Sequence, residues 1–184
     1  MEFSVETIDR KDYAAVRTII ADSYENDGPN TDGDEIDMID RLRESSGYNE
    51  KFEVVAKDRN GEIVGHVLMV PATVRSATVK FPIVSIVEIG VLHEDQNDGI
   101  GQEMVIELET RARLAGYRAV SAVDNSDFFF RNNYVPADNF NILPTVNVDF
   151  NANLIKPLFD GALYNKGGKI YYPEEYFGVR STNY

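Results

Sequence analysis

The chain has 184 residues, enough for one domain with a sizeable core, and its 43% hydrophobic content is typical of a globular protein. A formal net charge of −13 argues against nucleic acid and anionic membranes as partners, because both attract Lys and Arg. The sequence has no cysteine, which excludes disulfides and a cysteine nucleophile. Since neither a signal-peptide pattern nor an apolar stretch long enough for a bilayer is present, we expect a cytoplasmic protein.

The first predicted elements are a strand and two helices. Residues 3–8 alternate as a short strand, and Asp9 is a suitable N-cap for a helix over residues 11–24. A second helix is predicted over residues 34–45. The expected buried side chains of the two helices are Tyr13, Val16, Ile20, Ile36, Ile39 and Leu42.

Residues 22–40 contain eight acidic side chains and neither Lys nor Arg. Two interpretations remain open for this stretch, which we call the acidic segment. It forms either a solvated face that aids solubility or a surface that attracts a cationic acceptor.

A hairpin is predicted next, because Asn60-Gly61 separates the apolar runs 52–57 and 62–70. Pro71 is expected to end the second strand or to mark a bulge. Residues 74–80 are predicted to form a further, irregular strand.

The chain is organised around the stretch from Glu88 to Gln102. Residues 83–92 predict a buried strand, and the residues after Gly99 predict a helix. Gly99 and Gly101 therefore lie where the unpaired N–H groups of a helix N-terminus can bind an anion such as phosphate. The helix has an apolar face of Ile100, Met104, Leu108 and Ala112, and an outer face on which Glu107–Arg111 and Glu109–Arg113 form i,i+4 pairs.

The helix is predicted to end at Gly116, a favourable C-cap, before a strand over residues 117–123 and a short helix. Residues 139–148 are strand-like but broken by Pro144, and Pro157 confines the strand at residues 153–159 to an edge or a bulge. This order of elements predicts an α+β fold with a mostly antiparallel central sheet and helices on both faces.

Two motifs resemble the GCN5-related N-acetyltransferase (GNAT) family. Gln96-x-x-Gly99-x-Gly101 resembles the family's phosphate-binding signature, and Asn133-Tyr134-Val135-Pro136 resembles its closing segment. The resemblance covers residues 3–140 and implies a GNAT-like domain over residues 1–140. The end of the chain, Gly168 to Phe177, resembles a bacterial subgroup with a C-terminal extension, which would occupy residues 141–184 packed on the same domain.

The resemblance implies that acetyl-coenzyme A (acetyl-CoA) is the cosubstrate. The strand amides at Ile89, Gly90 and Val91 would bind its pantetheine arm and polarise the thioester. The remaining residues expected to contact the coenzyme are Gln96, Asn97, Asp98, Gly99, Ile100, Gly101, Gln102, Asn125 and Phe129.

Glu88 is the candidate general base, because a carboxylate buried in an apolar strand can accept a proton near neutral pH. The alternatives are a glutamate that points outward or one that pairs with an arginine. Phe129 stands where the family usually has a tyrosine that acts as general acid. The role of general acid would therefore fall to Tyr134, to Tyr171 or Tyr172, or to water.

These features predict an N-acetyltransferase for a primary amine of a small molecule or peptide, with a homodimer as a possible assembly. Asp98, where the family commonly has Arg or Lys, and Phe129 leave open a non-catalytic protein that binds coenzyme A or a metabolite. An acidic interaction domain is the third possibility. No metal site is expected, because His66 and His93 are isolated and the acidic segment lacks the register of a calcium loop.

Overall fold

The computed structural model describes residues 2–25 and 34–177. These residues form two compact units. Unit 1 contains residues 2–25, 34–68, 88–105 and 173–177, and unit 2 contains residues 69–87 and 106–172. The central part of the acidic segment, residues 26–33, lies outside the described residues.

Four helices and nine strands are present among the described residues. The helices are α1 (Tyr13–Glu25), α2 (Glu35–Glu44), α3 (Ile100–Leu114) and α4 (Ser126–Arg131). The strands are β1 (Phe3–Thr7), β2 (Glu53–Asp58), β3 (Ile63–Arg75), β4 (Lys80–Val91), β5 (Ala119–Val123), β6 (Val135–Pro136), β7 (Ile142–Leu143), β8 (Asn153–Pro157) and β9 (Gly168–Tyr171).

Strands β1, β2 and the first half of β3 pair antiparallel in unit 1. The predicted Asn60-Gly61 hairpin between β2 and β3 is confirmed. Gly61 has φ +82°, a left-handed conformation that glycine adopts without steric cost, and its N–H donates to the carbonyl of Asp58.

Asp9 is an N-cap as predicted, but it caps a 3-10 turn, Arg10–Asp12, and α1 follows this turn from Tyr13. The Asp9 carboxylate accepts the N–H of Lys11, and Asp12 reaches back to the Asp9 N–H, so a capping box satisfies the unpaired donors. In α2 the buried residues are Met38, Ile39 and Leu42. The prediction for Ile36 was wrong, because Met38 takes the inward position and Ile36 is half-buried.

Two predictions in this region were wrong: that the second strand ends at Pro71, and that residues 74–80 form a separate strand. Strand β3 continues through Pro71 to Arg75, and residues 76–79 form a turn rather than a strand, closed by a bond from the Ser76 N–H to the Val79 carbonyl. Along the edge of β3 that pairs with β2 and β9, the pairing with β2 ends at Leu68 and the pairing with β9 begins at Thr73. Pro71 lies between the two, where its missing N–H costs no hydrogen bond to either strand.

Helix α3 follows β4 as predicted and buries the apolar face of Ile100, Met104, Leu108 and Ala112. It ends at the predicted glycine: Gly116 has φ +89°, and the N–H of Tyr117 donates to the carbonyl of Ala112. The pair Glu107–Arg111 forms, with 2.8 Å between Oε1 and Nε. The prediction that Glu109 lies on the outer face was wrong, because Glu109 is buried.

Unit 2 contains a parallel pair of β4 and β5 over Val84–Ile86 and Val120–Ala122, which α3 connects in sequence. Strand β8 pairs antiparallel with both β5 and β6, so Pro157 does not confine it to an edge; the proline is its last residue. Strand β9 pairs with β3 and β7. Of the predicted strand at residues 139–148, only Ile142–Leu143 is extended and paired.

The strand pairing within the units is mostly antiparallel, which agrees with the predicted α+β class. Among the described residues, no helix is long and apolar enough to cross a membrane. The boundary between residues 140 and 141 stays a prediction.

Candidate active site

Glu88 lies near the end of β4 with its side chain buried at 2% relative exposure. The outward-facing alternative for this glutamate is therefore wrong, and its partner is a histidine rather than an arginine. One carboxylate oxygen, Oε2, contacts Nδ1 of His66. The other, Oε1, has no hydrogen-bond partner among the described residues. A buried acceptor without a donor is costly, and such a group is often a site for water or ligand.

His66 lies on β3 and is fully buried between two glutamates. Its Nδ1 faces Glu88, and its Nε2 lies 2.7 Å from Oε1 of Glu53 on β2. The register places His66 opposite Val55, so Glu53 is its diagonal neighbour on the same face of the sheet. The interpretation of His66 as an isolated side chain was thus wrong, since the strand pairing brings both carboxylates to it.

Glu53 is held from its other side by α2 and the residues after it. Arg43 Nη2 lies 2.5 Å from Oε1 of Glu53, and the Tyr48 hydroxyl donates to Oε2 at 2.7 Å. The Arg43 guanidinium also stacks 3.7 Å above the ring of Tyr13. Glu53 is therefore fully paired, and the cluster extends from α2 through two strands to Glu88.

The cluster shifts the pKa values of its members. Burial alone would lower the pKa of His66, but the charges of Glu88 and Glu53 raise it to about 9. Burial would raise the pKa of Glu53, but hydrogen bonds from His66 and Arg43 lower it to about 2. Both shifts favour the charged forms, an imidazolium at His66 and a carboxylate at Glu53.

The end of β4 is braced by α1. The Asp22 carboxylate accepts the N–H of His93 at 2.8 Å, and the Ser23 hydroxyl donates to the carbonyl of Val91 at 3.4 Å. The Val91 carbonyl also accepts a bond from Nε2 of Gln96. These contacts fix the point at which the strand leads into the loop.

The loop between β4 and α3 contains two residues in a left-handed backbone conformation. Asn97 and Gly99 both have positive φ, at 71° and 83°, and the carbonyl of Gly99 accepts the N–H of Glu103 in the first turn of α3. The residues from Gln96 to Gly99 are exposed, as is Gln102, whereas Ile100 is buried and Gly101 is half-buried. The predicted arrangement of strand, loop and helix start is confirmed.

Three carboxylates lie in or next to this loop, on Glu94, Asp95 and Asp98. Burial raises the pKa of the Asp95 carboxyl, and the charges of Glu94 and Asp98 raise it further. The negative charges of these carboxylates would repel a phosphate and so offset part of the attraction of the helix start for an anion.

The described part of the acidic segment is partly neutralised by arginines. Arg41 lies 3.3 Å from Asp34, and Asp40 contacts both Arg17 and Arg43. Since residues 26–33 are outside the described residues, the choice between a solvated face and an acceptor surface stays open.

The remaining predicted site residues lie in unit 2. Tyr134 is buried, and its hydroxyl donates to Oε1 of Glu109 at 3.0 Å, while Lys156 donates to Oε2 of the same carboxylate at 2.8 Å. Burial and the Glu109 charge raise the pKa of Tyr134 well above its ordinary value. Phe129 is buried and packs edge-to-face on the Tyr134 ring, and Asn125 precedes α4 in a left-handed conformation.

Sequence reasoning missed Arg43, Glu53 and His66. A signal was present, because Glu53, His66 and Glu88 are the charged or titratable side chains inside otherwise apolar stretches of three neighbouring strands. No group of His, Cys, Asp or Glu with the arrangement of a metal site occurs in residues 2–25 and 34–177.

Comparison with solved structures identifies the fold. A GNAT family N-acetyltransferase (YhbS) from Escherichia coli, solved with CoA, has a TM-score of 0.84 at 19% identity, covering 98% of this chain and 94% of that one. A GNAT family acetyltransferase from Brucella melitensis, solved with acetyl-CoA, has a TM-score of 0.73 at 15% identity, covering 95% and 98%.

No curated protein sequence matches the chain. The sequence pattern of the Acetyltransferase (GNAT) family, however, matches residues 13–132, which is about two thirds of the chain. Together with the strand, loop and helix around Glu88, this match shows that the chain belongs to the GNAT acetyltransferase family.

Proposed function

We propose that this chain transfers the acetyl group of acetyl-CoA to a primary amine by direct attack of the amine on the thioester. The observation that carries the proposal is the unpaired Oε1 of buried Glu88, on the strand that leads into the glycine loop. The similar structures from E. coli and B. melitensis contain CoA and acetyl-CoA, respectively, which supports this choice of cosubstrate.

The loop and the first turn of α3 would hold the pyrophosphate. The first N–H groups of a helix have no intrahelical acceptor, and Gly99, with φ +83°, permits close approach of a phosphate. The residues proposed for this role are Gln96, Asn97, Asp98, Gly99, Ile100, Gly101 and Gln102.

The strand amides before the loop would polarise the thioester carbonyl. The N–H of Leu92 donates to Val64 of β3, and successive N–H groups of a strand point to opposite edges. The N–H groups of Ile89 and Val91 therefore point away from β3, whereas that of Gly90 points toward it. Ile89 and Val91 are thus the better candidates of the three predicted amides.

Glu88 would act as general base. The ammonium form of the acceptor gives one proton to Oε1 of Glu88, directly or through one water, and the free amine then attacks the acetyl carbon. As the bond from carbon to sulfur breaks, the nitrogen gives its second proton to water and the thiolate takes one proton, so that the only net proton released is the one on Glu88. The products are the N-acetylated amine and free CoA.

The source of the thiolate proton stays a prediction. Tyr134 is the candidate from the sequence, and its raised pKa keeps the hydroxyl protonated. To act, the hydroxyl would have to exchange Glu109 for the thiolate, at a cost of about 1–3 kcal/mol for the buried carboxylate left behind.

A small-molecule or peptide acceptor, a cationic character of that acceptor, a dimeric assembly and a cytoplasmic location also stay predictions. So do the contacts of Asn125 and Phe129 with the coenzyme. The carboxylates of the loop favour one alternative, a non-catalytic protein that binds coenzyme A weakly, because they repel the pyrophosphate.

The proposal is tested by following CoA release with acetyl-CoA and a panel of primary amines, for the wild type and Glu88→Gln. We expect Glu88→Gln to lower kcat by about 10²–10⁴-fold. The control is Glu62→Gln, an exposed glutamate before β3 with the same charge change. Equal activity of wild type and Glu88→Gln would remove Glu88 from the chemistry. Coenzyme binding without turnover of any amine would support the non-catalytic alternative.

A further inference from the structure

The contacts of His66 determine its protonation state on geometric grounds. An ionised carboxylate can only accept hydrogen bonds, and both ring nitrogens of His66 face carboxylate oxygens. If both glutamates are ionised, both nitrogens must carry a proton. His66 is then an imidazolium held between two anions.

The surroundings of Glu53 support the ionised form. Arg43 and the Tyr48 hydroxyl both donate hydrogen bonds to this carboxylate. Such bonds stabilise the ionised form of the carboxylate over the protonated form. Arg43 lies on α2 and Tyr48 just after it, so the position of the Glu53 carboxylate is fixed. Because Glu53 contacts Nε2 of His66, it in turn fixes the plane of the imidazole ring. The charges of Arg43, Glu53, His66 and Glu88 then sum to zero inside unit 1.

The contact with His66 makes the two carboxylate oxygens of Glu88 unequal. The His66 N–H occupies Oε2 and leaves Oε1 without a protein donor among the described residues. On the same strand face, Gly90 has no side chain that could cover Oε1.

We infer that His66 is a positioning residue: as an imidazolium fixed by Glu53, it binds Oε2 of Glu88 and holds Oε1 free for the acceptor amine. The part that concerns the amine rests on the proposed function. The protonation and the orientation of His66 do not.

The first test is independent of activity and uses the full-length wild-type chain. Nitrogen-15 NMR of the imidazole groups reports the protonation of each ring nitrogen, and the chain has only two histidines. His93→Gln, an exposed position, assigns the signals. We expect His66 to show two protonated nitrogens from pH 6 to pH 8. A neutral His66 at pH 7 would overturn the inference, even if the chain is an active acetyltransferase.

The second test changes the contacts that hold His66 in place. Glu53→Gln removes one of the two anions, and Tyr48→Phe removes only one hydrogen bond to the same carboxylate. We expect Glu53→Gln to let His66 lose its proton at a lower pH than in the wild type, and Tyr48→Phe to shift it less. An unchanged His66 titration in folded Glu53→Gln would contradict the proposed role of Glu53.

The third test joins His66 to catalysis through the separate effects on kcat and KM. His66→Gln removes the charge that fixes Oε2 of Glu88. We expect kcat to fall about tenfold or more, with the KM for acetyl-CoA changed by less than about twofold. An unchanged kcat, or a loss of activity that lies in KM alone, would contradict the positioning role. If no amine is a substrate of the wild type, the proposed function fails and the NMR result still decides the state of His66.

Discussion

Glu88 and Gly90 share one face of β4, and a β-carbon placed on Gly90 would lie 3.1 Å from Oε1 of Glu88. The same β-carbon would lie 2.7 Å from the hydroxyl oxygen of Ser23 on α1. Helix and strand are therefore packed so closely that only glycine fits beside the free carboxylate oxygen. Position 90 is thus constrained by space rather than by backbone conformation.

This packing predicts the outcome of Gly90→Ala. We expect it to lower the free energy of unfolding by about 1–3 kcal/mol, the usual cost of overpacking, and to reduce activity by displacing Glu88. Ser23→Ala removes the nearest atom, so the double variant should recover part of the stability. A double-mutant cycle from urea denaturation measures this coupling. Strictly additive losses would show that Ser23 does not limit the space at position 90.

The stability of the fold should depend on pH through His66. The pKa in the folded chain is about 9, above the ordinary value of 6.5, so the stabilisation is complete below about pH 6.5 and is lost as the pH rises through 9. We expect the free energy of unfolding to fall over this range, by at most about 3 kcal/mol. Urea denaturation at pH 6.5 and pH 9 measures the fall. It should be absent in His66→Gln and retained in His93→Gln.

Glu53 predicts a second loss of stability, at acidic rather than alkaline pH. Its pKa of about 2 lies below the ordinary 4.5, so its stabilisation is complete above about pH 4.5 and is lost as the pH falls toward 2. The two groups together predict greatest stability between about pH 4.5 and 6.5. In acid denaturation, Glu53→Gln should show a smaller fall in the free energy of unfolding between about pH 4.5 and 2 than the wild type. An equal fall in wild type and variant would show that other carboxyls cause the acid unfolding.

Coenzyme affinity should be limited by the charge of Asp98. We expect Asp98→Asn to tighten binding of acetyl-CoA by about two- to fivefold and Asp98→Lys to tighten it further, because each charge at a helix start is worth about 0.3–1 kcal/mol. The gain should shrink at high salt. Glu50→Gln, an exposed position before β2, is the control for net charge alone. An equal gain in this control would show that the effect is not local to the loop.

Tyr134 can be tested for a structural and a chemical role together. We expect Tyr134→Phe to lower the free energy of unfolding by about 1–3 kcal/mol, because Oε1 of buried Glu109 loses its donor while Lys156 still binds Oε2. Tyr164→Phe, at an exposed tyrosine of the same unit, should have no such effect. A decrease of kcat by about 10²-fold or more in Tyr134→Phe, beyond the loss in Glu109→Gln, would support the general-acid prediction.

The features predicted correctly from the sequence depend on local patterns. The hairpin at Asn60-Gly61, the N-cap at Asp9 and the helix end at Gly116 each rest on residues that are close in sequence. The strand, loop and helix around Gly99 were predictable for the same reason.

The errors concern long-range pairing. Sequence reasoning could place Glu88 in a buried strand, but the register that brings His66 to it, and Glu53 to His66, joins residues on three strands. Glu109 was assigned to an outer face because an i,i+4 arginine follows it, yet Tyr134 and Lys156 reach it from distant parts of the chain. Pro71 was taken as a strand end because its partners could not be known.

The central claim is that the loop around Gly99 binds acetyl-CoA, and calorimetric titration tests it most directly. Gly99 and Gly61 have matching φ values of +83° and +82°, and at neither would a β-carbon meet another atom within 4 Å. Gly99→Trp and Gly61→Trp should therefore carry similar backbone strain, of about 1–2 kcal/mol. We predict that the wild type and Gly61→Trp bind acetyl-CoA and that Gly99→Trp does not. Equal binding by both variants, or no binding by the wild type at millimolar coenzyme, would contradict the account.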